Sequence, residues 1–278
     1  SFYFRAKPFL WVHDLWPESV KDAGGVNNKI ILGLINFMTK SIYYFYDNIL
    51  VQSPNFKEYL INQGVKSKKI IYYPYYAESF YNVVSKDKKV DNLFPKGLNI
   101  LFAGNIGVAQ SFDTIIEAVK IALAKVKDLN VIILGEGRDK NRIINKIKDY
   151  NLTNFYFMGA FPPEDMSKFF ASSDALLVSL KKSLIFSNTI PGKLQSYLAC
   201  GKPIIASLDG IGAKIVKDSL SGFTSDAGDS LGLANSIISF SRLNEIDRNK
   251  LGENGRIYYK KEFEREKLIS KLIDILEK

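Results

Sequence analysis

The sequence holds one cysteine, Cys200, and one histidine, His13. A lone thiol forms no internal disulfide, and without a Cys/His cluster no metal-ligand spacing is legible, so the pattern fits a reducing, cytoplasmic compartment. No apolar run reaches the ~18 residues that argue for a spanning helix. Also missing is a GxGxxG fingerprint with a distal ribose acid, which counts against a dinucleotide-dependent oxidoreductase; no bound cofactor is expected.

What the chain has in excess is positive charge, formally +9 over 278 residues. No nucleic-acid-binding motif accompanies it. Phosphorylated ligands and an anionic membrane surface are therefore the favoured partners, with plain solubility as the alternative. The length allows about two domains of ~150 residues.

From Leu98 onward, short apolar runs alternate with helical patterns. NILFAG, NVIILG, NFYFMG, DALLVSL and KPIIASL read as five buried strands of a parallel α/β sheet. Gly104, Gly135 and Gly159 end the first three, where ligands dock in doubly wound folds. A Rossmann-like domain over 97–255 follows. The first ninety-odd residues offer three strands, FLWVHDL, NILVQS and KKIIYYP, with Ser53-Pro54 capping a helix that stops near Gly64. Residues 1–96 read as a partial N-terminal domain with a linker from Pro74 to Lys96. Residues 256–278 hold an amphipathic terminal helix with Leu268, Ile269, Leu272, Ile273 and Leu276 on one face, expected to dock on a core. The aromatics Tyr43, Tyr44, Phe45 and Tyr46 are expected mostly to pack.

The most informative stretch runs from Ile190 to Pro203. Pro191 stiffens its start, Gly192 admits close backbone approach, and Leu194, Tyr197 and Leu198 recur as a packed helical face that ends at Gly201. The helix start is an anion site in form, and Lys193 sits where a cation opposes the helix dipole unless a phosphate is bound. An ordinary αβ connection with a solvated lysine is the alternative.

The run PGKLQSYLACGKPIIAS resembles the donor-site helix of glycosyltransferase family 4, closest to the subgroup that moves N-acetylated deoxyhexosamines such as N-acetylfucosamine in bacterial O-antigen and capsule assembly. HDLWPES, FAGNIGVAQSFDTIIEA and LGEGRDK resemble segments of that subgroup in the same order. The resemblance implies an α/β fold of GT-B type: a complete C-terminal Rossmann-like parallel sheet domain plus a partial N-terminal Rossmann-like domain, with a terminal helix crossing back to the latter. It also implies a retaining, metal-independent transfer from a UDP-sugar to a polyprenyl-diphosphate-linked saccharide in surface polysaccharide synthesis, at the cytosolic face of the membrane. Because HDLWPES lies deep inside that family's N-terminal domain, the opening strands are expected to be missing, and a non-catalytic UDP-binding fragment or subunit that needs a partner chain is the alternative.

The implied roles distribute as follows. His13 touches the donor from across the cleft. Gly104, Asn105, Gly107, Gly192 and Lys193 hold the diphosphate. Ser187, Asn188 and Thr189 read the donor sugar, Gly135, Ala160, Phe161, Gln195 and Ser196 hold the nucleoside, and Asp14 and Glu18 lie on the acceptor side. The chain departs from the family where two glutamates separated by seven residues are usual. Asn188 and Ser196 stand there instead.

Overall fold

In the computed structural model, residues 7–24 and 26–277 are described. The first unit is a three-stranded parallel sheet, β1 (Phe9–Val12), β2 (Asn48–Val51) and β3 (Ile70–Tyr72), in that order. Helices α1 (Glu18–Gly24) and α2 (Lys29–Phe45) connect β1 to β2, and α3 (Pro54–Asn62) leads towards β3. Side chains already legible in the sequence set the helix starts. Asn28 accepts from the amides of Ile30 (2.9 Å) and Ile31 (3.3 Å), and Ser53 accepts from Phe56 (3.2 Å) with Pro54 in the first turn. Val12, Leu15, Tyr43, Ile49, Val51, Phe56 and Leu60 close a small core. The aromatic run departs from expectation. Only Tyr43 is buried, whereas Tyr44 and Phe45 are 80% and 74% exposed, because successive residues of the last helical turn point in different directions and only Tyr43 meets this sheet, while Tyr46 already lies in extended backbone beyond the helix.

A short helix, α4 (Lys88–Asp91), lies in the connection to the second unit. That connection is packed. Ala77, Tyr81 and Phe94 join the next core, Ser167 Oγ donates to the Phe80 carbonyl at 2.7 Å, and Arg256 reaches Asn82 Oδ1 at 2.8 Å.

The second unit has six parallel strands: β4 (Leu98–Ala103), β5 (Leu129–Leu134), β6 (Phe155–Gly159), β7 (Ala175–Ser179), β8 (Ile204–Ser207) and β9 (Gly222–Ser225). Their order is β6-β5-β4-β7-β8-β9. Two differences from the sequence reading appear. β9, GFTS, was missed because its one large apolar residue, Phe223, leaves no run to detect, and β6 is an edge strand that is only half buried. The period-2 alternation feeds two cores. Leu101 and Ala103 face one layer, while Leu98, Ile100 and Phe102 face the other.

On the first face lie α7 (Met166–Ser172), α8 (Leu184–Asn188), α9 (Gly192–Ala199) and α10 (Gly210–Asp218); on the other lie α5 (Phe112–Ala122), α6 (Lys140–Asp149) and α11 (Ser230–Ser241). Ser111 does not cap α5 through its side chain. Its backbone is left-handed at φ 48°, and its hydroxyl pairs with that of Thr114. α12 (Glu245–Glu262) packs on α9, and α13 (Arg265–Leu276) docks on the first sheet, with Leu268 against Leu50 and Tyr73 and Lys271 donating to the Tyr72 carbonyl at 2.9 Å. Residue 256 thus lies inside α12, and the helix that returns to the first unit begins at Arg265.

Leu268→Ala should destabilise the chain by about 2–5 kcal/mol, the range for a truncated buried leucine, read as a lower urea midpoint. Limited proteolysis should then cut first between α12 and α13; an unchanged midpoint would mean that α13 does not hold the first unit.

Candidate active site

The site originates in a gap between two strands. β4 and β7 pair only at Ile100↔Ala175 and Leu101↔Leu176, so beyond Leu101 their backbone groups lose each other. Tyr197, on the inner face of α9, fills the breach. Its phenol accepts from the Ala103 amide at 3.2 Å and donates to the Leu177 carbonyl at 3.4 Å, and its ring packs edge-on against Phe170. This is the switch point of the strand order, where a crevice opens at the carboxyl ends of such sheets.

Above it lies a cavity of about 500 Å³. Its floor is the loop after β4, Gly104 and Asn105, and the loop after β5, Gly135 and Glu136. These loops are interlocked through Gly104 N–H to Leu134 O (2.8 Å) and Ile106 N–H to Glu136 O (2.8 Å). A methyl group on Gly135 would sit 1.9 Å from Gly104 O, and one on Gly137 would sit 2.0 Å from Ile106 O. Both glycines are required by loop-to-loop contact before any ligand is considered. Ala160, Phe161 and Met166 wall one side; Gly192, Lys193 and Ser196 of α9 form another.

Lys193 dominates the electrostatics. One turn before Tyr197, it extends over the face of Phe102 with its ammonium 3.7 Å from the ring centroid. A Cβ on Gly104 would lie 2.7 Å from Lys193 Cε, so the absent side chain at Gly104 is what makes room. Among the described residues no carboxylate pairs with this ammonium, and burial pulls its pKa down to about 7. No side chain caps α9. A half-buried lysine and a helix start with uncapped amides therefore face one cavity. The arrangement favours an anion.

The other sequence-derived candidates are placed differently. Gln195 is buried and is not part of the cavity wall, where the nucleoside contact was expected; with its amide nitrogen turned to the start of α9 it donates to the carbonyls of Pro191 (2.9 Å) and Gly192 (3.1 Å). Gly107 is not part of the cavity wall; its amide donates to Gln110 Oε1 at 3.1 Å, held there by a tight turn. Ser187 and Thr189 give their hydroxyls to the carbonyls of Leu184 and Ile185 on α8. Asn188 is a bridge between the units: its carbonyl accepts from Ser53 Oγ at 2.5 Å, and its Oδ1 accepts from Asn55 Nδ2 at 3.1 Å.

These bonds turn the carboxyl end of β2 towards the loop after β7. His13 lies at the same end of the first sheet, exposed, with its carbonyl held by Gln52 (3.0 Å), its Nδ1 bonded to the Tyr75 hydroxyl and its ring against Trp11. It forms no part of the cavity wall. Asp14 is exposed beside it, and Glu18 is taken up by the Tyr59 hydroxyl, whose pKa is raised by burial and then by that carboxylate.

Among the cavity residues that the sequence does not single out for the site, Glu136 and Tyr81 carry polar groups that could meet a ligand. Glu136 is the acidic wall residue, held by Lys140 at 2.7 Å, and its position directly after Gly135 was the available signal. Tyr81 comes from the connecting segment, with its ring parallel to Phe170 at 6.2 Å, and nothing in its sequence neighbourhood marks it.

Residues 83–258 match the family Glycosyl transferases group 1, and the chain belongs to it. It is 26% identical over 217 residues to an uncharacterized glycosyltransferase of Methanocaldococcus jannaschii, a match covering 77% of this chain and 55% of that protein. It is also 23% identical over 244 residues to N-acetyl-alpha-D-glucosaminyl L-malate synthase of Bacillus anthracis, covering 87% and 52%. The chain thus spans about half the length of these curated relatives. Among solved structures, Anabaena HepE in complex with UDP superposes with a TM-score of 0.80 at 14% identity, covering 100% of this chain and 74% of that one. S. aureus TarM, solved with alpha-GlcNAc-glycerol and UDP, gives 0.74 at 16%, covering 98% and 51%. At these identities the likeness concerns the fold, which is GT-B.

Tyr197→Phe leaves the Ala103 amide and the Leu177 carbonyl buried without partners and should cost about 1–3 kcal/mol in denaturant unfolding. Lys193→Met should do the opposite in the ligand-free protein, raising stability by about 1–3 kcal/mol at pH 6, the scale of an uncompensated buried polar group. The sign follows from a lowered folded pKa. The unfolded chain binds the extra proton between pH 7 and 10.5, so wild-type stability rises through that window and the advantage of the variant shrinks. An advantage that grows with pH would show Lys193 to be paired.

Proposed function

We propose that the chain is the donor-binding part of a retaining glycosyltransferase that moves an N-acetylated hexosamine or deoxyhexosamine from a UDP-sugar to a polyprenyl-diphosphate-linked saccharide in surface polysaccharide synthesis. The observation that carries the reading is the unpaired Lys193 ammonium at the start of α9, inside the cavity at the β4/β7 switch point. The family membership and the UDP named in the HepE and TarM structures support the choice of nucleotide.

In this reading the diphosphate lies against Gly104, Asn105, Gly192 and Lys193, and the nucleoside against Gly135, Ala160, Phe161 and Ser196. Glu136 and Ser196 offer the hydrogen bonds to ribose that the family glutamate would otherwise supply. The bond from the anomeric carbon to the β-phosphate oxygen breaks, and the acceptor oxygen bonds to that carbon on the same face. The acceptor proton passes to the departing phosphate. Lys193 and the α9 amides neutralise charge that grows on UDP as the bond breaks, which stabilises the transition state more than the ground state and requires no metal. His13, Asp14 and Asn188, at the facing edge, would meet the sugar and acceptor.

Calorimetry tests the donor reading. UDP should bind equally well with and without EDTA, and Lys193→Met should weaken UDP at least tenfold while leaving uridine within about twofold, since the lost charge acts on phosphate. From pH 7 upward, UDP affinity should fall by up to about tenfold per unit, because binding the anion then requires proton uptake by Lys193. Equal losses for UDP and uridine, or a pH-independent affinity, would move Lys193 away from the diphosphate.

A further inference from the structure

At the opposite edge of the second sheet, the amino ends of β7 and β8 open on another cavity, of about 450 Å³. Asp174 immediately precedes β7 and Lys202 lies just before β8, while Glu245, Arg248 and Asn249 come from the start of α12 and Lys86 from the connecting segment. The length of the strands, ~15 Å, separates this pocket from the cavity that holds Lys193. Every lining residue falls inside the matched stretch 83–258, so the pocket is built within the second unit and its connection, on the edge turned away from the first unit.

Its charges do not close on themselves. Three cations, Lys86, Lys202 and Arg248, line it against two acids. Asp174 is already engaged: its Oδ2 accepts from the Asn99 amide at 2.7 Å, and its Oδ1 lies 3.5 Å from Arg248 Nη1. Glu245 is exposed in the first turn of α12, where the helix dipole favours a carboxylate. Lys202 is half-buried and makes no ion pair; its hydrogen bond is a long one, to the Ala171 carbonyl at 3.4 Å. Burial pulls its pKa down to about 8, with Asp174 offsetting part of that shift and Lys86 adding to it. Arg248 donates to the Ser241 carbonyl at 3.0 Å, yet its Nε is buried without a partner. A desolvated ammonium and an unused guanidinium N–H around one cavity are costs to the fold that an anion would remove.

We propose that this pocket is a second anion site, taking the phosphate group of a small phosphorylated molecule between Lys202, Arg248 and Lys86. Its volume lies within the ~300–1,000 Å³ of small-molecule sites and leaves room for more than the phosphate itself. The site has a connection to the first cavity. Lys202 follows α9, the helix that carries Lys193, and the connecting segment that carries Lys86 also carries Tyr81. An anion held between Lys86 and Lys202 would fasten that segment to the end of α9. The inference does not rest on the donor reading, and its readout involves neither UDP nor transfer.

Calorimetry on the full 278-residue chain tests it, with ribose 5-phosphate and inorganic phosphate as probes. Ribose 5-phosphate should bind, and Lys86→Ala/Lys202→Met should weaken it at least tenfold, whereas Lys193→Met, which alters the other cavity, should leave it within about twofold. Inorganic phosphate should bind at least tenfold more weakly; equal affinities would assign the pocket to the free ion and overturn the phosphorylated ligand. In the absence of either probe, Lys202→Met should unfold at a urea midpoint no lower than the parent's, because the ammonium it replaces has no counter-charge. A lower midpoint would show Lys202 to be satisfied within the fold and would overturn the site. So would no binding by the parent chain, or binding lost in Lys193→Met and kept in Lys86→Ala/Lys202→Met, which would place the phosphate in the first cavity.

Discussion

The site depends on one phenol. Where β4 and β7 part, an amide and a carbonyl are left facing apolar surroundings, and the Tyr197 hydroxyl satisfies both. Without it the crevice would bury two unpaired backbone groups, a cost comparable with a large share of a domain's net stability. Because Tyr197 is anchored there, the start of α9 is held above the gap, and Lys193, one turn earlier, can only extend towards Gly104 and Phe102. The shape of the cavity and the integrity of the sheet share the same contact.

Lys193 then shows how a site is held ready for an anion. An ammonium over an aromatic face gains a little from the ring quadrupole, yet that gain is smaller than the hydration it has lost, and its pKa falls to about 7. An anion in the cavity would reverse the imbalance by supplying the missing counter-charge. A charged side chain held this way makes the fold less stable than an apolar residue at the same position would.

Between the units, Ser53 serves two ends at once. Its hydroxyl accepts from the Phe56 amide to begin α3 and donates to Asn188 across the cleft. With α13 bracing the far side of the first sheet, the carboxyl edges of both sheets are turned towards one another. The polar groups at β1 and β2 thereby face the loops that follow β7.

The sequence by itself determined the parallel α/β class, the strand-end glycines, the caps at Ser53 and the helix from Gly192, because these rest on local rules: alternation, periodicity and the backbone needs of glycine and proline. It also marked Lys193, whose charge conflicts with the helix dipole in any context. Tertiary structure decided what depends on pairing between distant segments. β9 forms because β8 offers it an edge, and Gln195 turns inward because its neighbours on α9 face the cavity. Tyr81 reaches the cavity only because the connecting segment folds back on α7. The meeting of Lys86, Lys202 and Arg248 at the amino edge of the second sheet was invisible for the same reason: each comes from a different segment, and nothing local to one marks the other two.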